Sequence, residues 1–371
     1  MKQVETKYLF VITSEVSNQA AAPIIQQFVE SGKTVHILTL GKNIKHRSNH
    51  EREIKVSLNV AKNLSWKFLI ANNPIKKWGL KGKTIGYHHG SMFGNNTWSL
   101  RTVLNSDYFF TLSDAEHLYI KRHLGEKSEK IPLFTVGNPK LTKSLNYSKS
   151  SPHYKDSYVR RKKIEHGLDS DKPVIAFTSH WTSEGNIRTY GPGIIEALAY
   201  NFPNHHVVVN FHPKIFENPQ SEPINGKIVN TSGFHFGWIW HVLKKLESSR
   251  IIKLWPHGNQ FDMLAVSDVV ICDKSSIFIE TLPFELPIFA KADLNYYDKS
   301  IEEIVKNRAN SFSSIENLIK VLREHFSYTS QGRDVDIKRD AAKELFIHND
   351  GNASSNFLRI LENIEKEQSQ I

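Results

Sequence analysis

Residues 259–289, NQFDMLAVSDVVICDKSSIFIETLPFELPIF, carry the pattern that decides the fold. Phe261, Met263, Leu264 and Val266 have helical apolar spacing. Asp268 then introduces the unbroken apolar run Val269–Cys272. Such a run, bounded by polar residues, predicts a strand buried on both faces, as in a parallel sheet. Asp273, Lys274, Ser275 and Ser276 follow, and Ile277, Phe278, Ile279, Thr281 and Leu282 resume helical spacing until Pro283 ends it. A Ser-Ser pair therefore stands where a strand gives way to a helix. Unpaired backbone N–H groups, hydroxyls and the positive end of a helix dipole meet at such a point and favour an anion. The plainer reading is that Asp273 or Ser275 caps the helix.

The rest of the chain repeats this alternation. Tyr8–Thr13 reads as a strand, Ala20–Ser31 as a helix and Thr34–Leu40 as a second strand, a β-α-β opening. Further strands are predicted at Trp66–Ala71, Thr84–Tyr87, Asp107–Leu112 and Ile131–Val136. Ser113 caps a helix over Asp114–Leu124, with Glu116 in its first turn. Residues 146–172 are polar, basic and poor in aliphatics, apart from a short helical pattern at Tyr158–His166. They read as a boundary. Beyond it come strands at Pro173–Thr178, His205–Phe211 and Ile251–Leu254, and helices at Gly191–Asn201 and Trp238–Glu247. Helices at Ile301–Val305, Ile315–His325 and Ala353–Glu365 follow.

The expected fold is α/β and GT-B-like: two Rossmann-like domains with parallel sheets facing a central cleft. Residues 1–150 form the first domain, 151–172 a linker and 173–335 the second domain. Residues 336–371 are C-terminal helices packing back on the body. Ligands of such sheets bind beyond the carboxyl ends of the strands. Three candidate groups lie there: His88, His89 and Gly90 after one strand, His212 and Pro213 after another, and the Asp273–Ser276 turn.

Composition narrows the function. The 371 residues carry a net charge of +10, which favours an anionic partner. No zinc-finger spacing, RNP-like motif or Walker A loop is present, so nucleic acid is not the expected partner. No segment approaches the roughly 18 apolar residues of a membrane span. The amino terminus reads as a strand rather than a signal peptide. The single cysteine, Cys272, falls in a predicted buried strand, which excludes a disulfide framework and fits a reducing cytoplasm.

Five stretches together resemble the CDP-glycerol glycerophosphotransferase family, enzymes that build teichoic acids and related phosphopolymers. They are TIGYHHG at 84–90, FTVGNPKL at 134–141, VIAFTSHW at 174–181, VVVNFHPK at 207–214 and SDVVICDKSSIFIETLPFELPIF at 267–289. The resemblance implies transfer of a polyol phosphate, glycerol 3-phosphate foremost, from a CDP-activated donor to an acceptor hydroxyl, with CMP released. It implies two catalytic histidines, His89 as the base and His212, with His88 and Gly90 on the acceptor side. It puts His212, Ser275 and Ser276 on the donor phosphates, and Glu280, Asp273 and Ser179 near the nucleotide or polyol. Lys274 stands where the family has Tyr, and either adds a phosphate contact or points to a different polyol or acceptor. His88 stands where the family has Trp or Phe, so either histidine is a candidate base.

No cofactor is expected. None of the three candidate groups carries an Asp-x-Asp pair to hold a metal at the centre, and Asp262, Asp268 and Asp273 read as capping or surface groups. An acidic or lipid-linked glycan acceptor fits the charge, as does peripheral attachment to the inner face of an anionic membrane. Residues 62–83, with Trp66, Phe68, Trp78 and several lysines, are one candidate for that contact, although a strand followed by a solvated basic loop is the plainer reading. Phe234–Leu246 is another, although Trp238 and Trp240 fit a core helix or the nucleotide site better. The modest length suggests a primer or transition enzyme in teichoic acid or capsule assembly. The alternative is a GT-B glycosyltransferase using a nucleotide-sugar donor.

Overall fold

The computed structural model describes residues 6–40, 44, 50–88, 96–180, 185–212, 221–224, 227–230, 244–245, 251–255, 260–273, 277–292, 309–330 and 352–368. The chain forms two compact units, Met1–Asn146 with Lys343–Ile371, and Tyr147–Ala342.

The first unit begins with β1 (Thr6–Ile12), α1 (Glu15–Glu30), β2 (Val35–Thr39), β3 (Glu53–Lys55) and α2 (Leu58–Asn63). It continues with β4 (Ser65–Ala71), β5 (Lys81–Tyr87), α3 (Asn96–Leu104), β6 (Tyr108–Thr111), α4 (Asp114–Leu124), α5 (Glu126–Glu129) and β7 (Leu133–Thr135). All seven strands are parallel, in the order β3-β2-β1-β4-β5-β6-β7. The order reverses direction between β1 and β4, the topological switch point of a doubly wound sheet. Leu9, Phe10, Phe68 and Ile85 are fully buried in the strands. β5 passes close to the residues before β6. A Cβ on Gly86 would lie 2.1 Å from Ser106 Oγ and 2.7 Å from Phe109 Cδ2, so only glycine fits there.

α6 (Thr142–Ser148) spans the division between the units. The second unit then runs through α7 (Pro152–Glu165), β8 (Val174–Ser179), α8 (Asn186–Tyr190), α9 (Gly193–Asn201), β9 (His206–Phe211) and an antiparallel hairpin, β10 (Ser221–Ile224) and β11 (Lys227–Asn230). After these come β12 (Ile252–Leu254), α10 (Gln260–Val266), β13 (Val269–Cys272), α11 (Ile277–Thr281), β14 (Ile288–Lys291), β15 (Asn310–Phe312) and α12 (Ile315–Ser330). Six strands form a parallel sheet ordered β12-β9-β8-β13-β14-β15, with its switch point between β8 and β13.

α13 (Ala353–Gln368) returns to the first unit. Its Phe357 is fully buried and meets Phe28, Tyr87 and Phe110 at ring-centroid distances of 6.4, 5.7 and 4.5 Å. Glu365 takes Lys67 Nζ at 2.8 Å, and Lys7 Nζ and Tyr8 Oη at 3.2 Å each. Burial opposes its charge, but the Lys67 and Lys7 ammonium groups outweigh burial and hold its carboxyl below the usual range.

Two sequence expectations change. The stretch expected as a linker, 151–172, is largely α7, a helix of the second unit. Ser151 caps it, Pro152 opens it, and Tyr158 is buried with its hydroxyl on Asp262. Asp262 also pairs with Lys162 at 3.2 Å, and burial, with the Asp262 carboxylate beside it, raises the Tyr158 pKa. Asp262 is therefore a buried bolt between α7 and α10, not a capping or surface group. The helices expected at Trp238–Glu247 and Ile301–Val305 lie wholly or almost wholly outside the described residues, as does most of Phe234–Leu246.

Candidate active site

In the second unit, pairing places Ile271 opposite Phe177 and Ser179 opposite Phe211. Continuing the ladder sets Asp273 beside Ser179 at the switch point, with His212 one strand further along. Asp273 is buried, and its Oδ2 accepts from the His180 backbone N–H at 2.8 Å, the Asn186 N–H at 3.0 Å and Ser179 Oγ at 3.2 Å. Ser179 Oγ in turn accepts from the Ile187 N–H at 3.0 Å. One carboxylate thus joins the end of β13 to both ends of the turn leaving β8. Burial pushes the Asp273 carboxyl up to about 6, even though these hydrogen bonds pull the other way. Gly185 approaches His180 closely, since a Cβ there would lie 2.2 Å from the His180 carbonyl oxygen.

His212 leaves β9 beside this turn. Its backbone N–H donates to the Ser179 carbonyl at 3.0 Å, and its ring lies 5.2 Å from that of His180 at 61°. Three buried atoms in the cluster have no hydrogen-bond partner among the described residues: Asp273 Oδ1, and Oδ1 and Nδ2 of Asn186. Orphaned groups of this kind cost about 1–3 kcal/mol each and collect where a ligand completes the network. Lys274, Ser275 and Ser276 lie outside the described residues, between the end of β13 at Cys272 and the start of α11 at Ile277. Glu280 is half-buried on α11.

In the first unit, His88 follows β5. It is buried, and its Nδ1 is paired with the carboxylate of Glu116 on α4. The other oxygen of Glu116 accepts the Leu112 N–H, while Ser113 Oγ accepts the Glu116 N–H at 3.2 Å. The Ser113–Glu116 spacing is that of a capping box. Here the carboxylate passes the cap and reaches one residue further back, leaving its other oxygen for His88. The His88 ring packs 4.7 Å from that of Phe109. His89 and Gly90 lie outside the described residues.

The structure therefore groups Ser179, His212 and Asp273 at one switch point and holds His88 at a strand end of the other sheet. Sequence reasoning did not single out His180, Asn186 or Glu116. His180 stood within the quoted VIAFTSHW stretch, and the capping spacing was the only signal for Glu116. Asn186 carried none. Asp273 is the buried anchor of a turn, which corrects its reading as a capping or surface group.

No protein of curated function matches the chain. Among solved structures, the H444N variant of the wall teichoic acid polymerase TagF is 16% identical. It covers 99% of this chain and 90% of its own, with a TM-score of 0.67. TagF H444N soaked with CDPG gives a TM-score of 0.63 at the same identity, over 99% of this chain and 91% of its own. A UDP-GlcNAc 2-epimerase from Neisseria meningitidis bound to UDP-GlcNAc is 15% identical over 96% of this chain and 100% of its own, with a TM-score of 0.62. These similarities establish a GT-B-like fold of two Rossmann-like units. The decisive match is at family level and spans residues 5–366, so the chain belongs to the CDP-Glycerol:Poly(glycerophosphate) glycerophosphotransferase family.

Proposed function

We propose that this enzyme transfers glycerol phosphate from CDP-glycerol to a hydroxyl of an acidic or lipid-linked glycan acceptor, adding one or a few units as a primer or transition enzyme. The observation that carries the reading is the polar cluster at the β8/β13 switch point, with its three buried polar atoms awaiting partners. The acceptor oxygen attacks the β-phosphorus, a new P–O bond forms, and the bond to the bridging oxygen breaks. CMP leaves with the electron pair, and the hydroxyl proton passes to a base. Such a reaction relies on positioning and on donors aimed at phosphoryl oxygens.

In this reading His212, Lys274, Ser275 and Ser276 hold the donor phosphates, and Ser179 and Glu280 face the nucleotide or polyol. Asp273 acts through the turn it anchors. His89 is the base, since neutral imidazole accepts a proton at ordinary pH. His88 and Gly90 shape the acceptor side. The excess of positive charge suits an acidic acceptor. Among the described residues no helix is long and apolar enough to cross a membrane, so a lipid-linked acceptor would be met at a surface.

Neutral donors, lysine and helix termini carry the diphosphate in this scheme, so catalysis is proposed to be metal-independent. Exhaustive EDTA treatment should lower CMP release by less than about threefold, under 1 kcal/mol of barrier. Complete loss restored by Mg²⁺ would refute that part of the scheme.

A further inference from the structure

The first unit has its own switch point, between β1 and β4, and a polar cluster fills it. Ser14 caps the 16-residue helix α1, its Oγ accepting the Ser17 N–H at 3.1 Å. Asn73 Nδ2 donates to Thr13 Oγ1 at 2.6 Å and to Asn72 Oδ1 at 3.1 Å. Ser17 Oγ donates to the same Asn72 oxygen and lies 3.3 Å from Thr13 Oγ1. Asn72 is only 3% exposed, and its Nδ2 has no hydrogen-bond partner among the described residues. Thr13, Ser14 and Asn73 around it are half-buried, forming a rim over the buried amide. An orphaned amide donor beside the N-terminus of a long helix calls for an anionic oxygen.

Register gives the cluster a place in the reaction. Val11 lies opposite Ala71, and Ala71 opposite Gly86. Two residues further on, Thr13, Asn73 and His88 leave the sheet as a row, with neighbouring strands about 4.8 Å apart. A hydroxyl beside His88 would thus stand one or two strands from the cluster. The terminal hydroxyl of a glycerol phosphate unit is separated from its own phosphate by three carbons, a span of that order.

We propose that Thr13, Ser14, Ser17, Asn72 and Asn73 form an acceptor subsite for the phosphate of the unit that presents the attacking hydroxyl. The assignment rests on the transferase reading above. The subsite serves the additions after the first, when the acceptor already ends in the glycerol phosphate unit just added.

The test is amide NMR on the full, deuterated chain, titrated to ~20 mM with glycerol 3-phosphate, inorganic phosphate or glycerol. Glycerol 3-phosphate should shift the Ser14, Ser17, Asn72 and Asn73 signals saturably, inorganic phosphate more weakly, and glycerol not at all. Asn72→Asp, which puts negative charge at the orphaned amide, should weaken binding by about tenfold or more. Ser17→Ala provides a second variant should the first fail to fold, and should weaken binding in the same direction. Absence of saturable shifts, an equal response to glycerol, or wild-type affinity in folded variants overturns the subsite. CMP release from CDP-glycerol, assayed on the wild-type sample, judges the transferase reading separately.

Discussion

Asp273 is the buried anchor of the second unit's switch point, and its burial makes it sensitive to pH. Its carboxyl is raised from near 4 to about 6, so the folded chain binds its proton more tightly than the unfolded chain does. This proton favours folding at low pH, and that contribution falls as pH rises from about 4 to about 6, then levels off. The full span is on the order of 3 kcal/mol for a wholly buried group. Asp273→Asn keeps an oxygen for the three donors and removes the titration. Urea melts at several pH values should show the stability difference, wild type minus variant, falling across that window. A difference independent of pH would contradict the account. The strand-end positions of Ser179, His212 and Asp273 were legible because apolar runs end abruptly there. The pairings His88–Glu116 and Asp273–Asn186 were not, because each joins side chains and backbone brought together only by sheet order and turn shape.

Among the elements, the buried strands were the most legible. Val174–Phe177, Val207–Val209 and Val269–Cys272 are unbroken apolar runs, and all their residues are essentially buried. α7 was not legible as part of a domain. Its sequence, PHYKDSYVRRKKIE, has no apolar stripe, and it is held by the Tyr158–Asp262 and Lys162–Asp262 contacts instead. α13 shows the opposite case, with Phe357, Leu358, Leu361 and Ile364 at helical spacing giving a clear apolar face. That face completes the core of a unit whose other elements lie more than 200 residues earlier. Phe357→Ala should lower stability by about 3–5 kcal/mol, as for other buried aromatic truncations. A urea melt checks this, and a loss under ~1 kcal/mol would show that α13 is not integral to the core.

At the scale of the whole molecule, two doubly wound sheets each present polar residues at a switch point. The second unit offers Ser179, His180, His212 and Asp273; the first offers the Thr13–Asn73 cluster beside His88. A tandem of this kind suits a reaction with two anionic partners, a donor diphosphate and an acceptor phosphate. The tandem was legible from strand–helix alternation alone, and its division at Asn146–Tyr147 falls at the start of the 146–172 stretch read as a boundary; the basic character of α7 hid only that the rest of that stretch belongs to the second unit. Family membership assigns glycerophosphotransfer as the chemistry, and the proposed scheme gives the donor to the second unit. The most direct measurement incubates the protein with CDP-glycerol, CDP-ribitol and a panel of nucleotide sugars, in the presence of a glycerol-phosphate-terminated acceptor, and identifies the nucleotide released. The account predicts acceptor-dependent CMP from CDP-glycerol and no nucleoside diphosphate from any sugar donor. Release of a nucleoside diphosphate from a nucleotide sugar, with CDP-glycerol left intact, would contradict it.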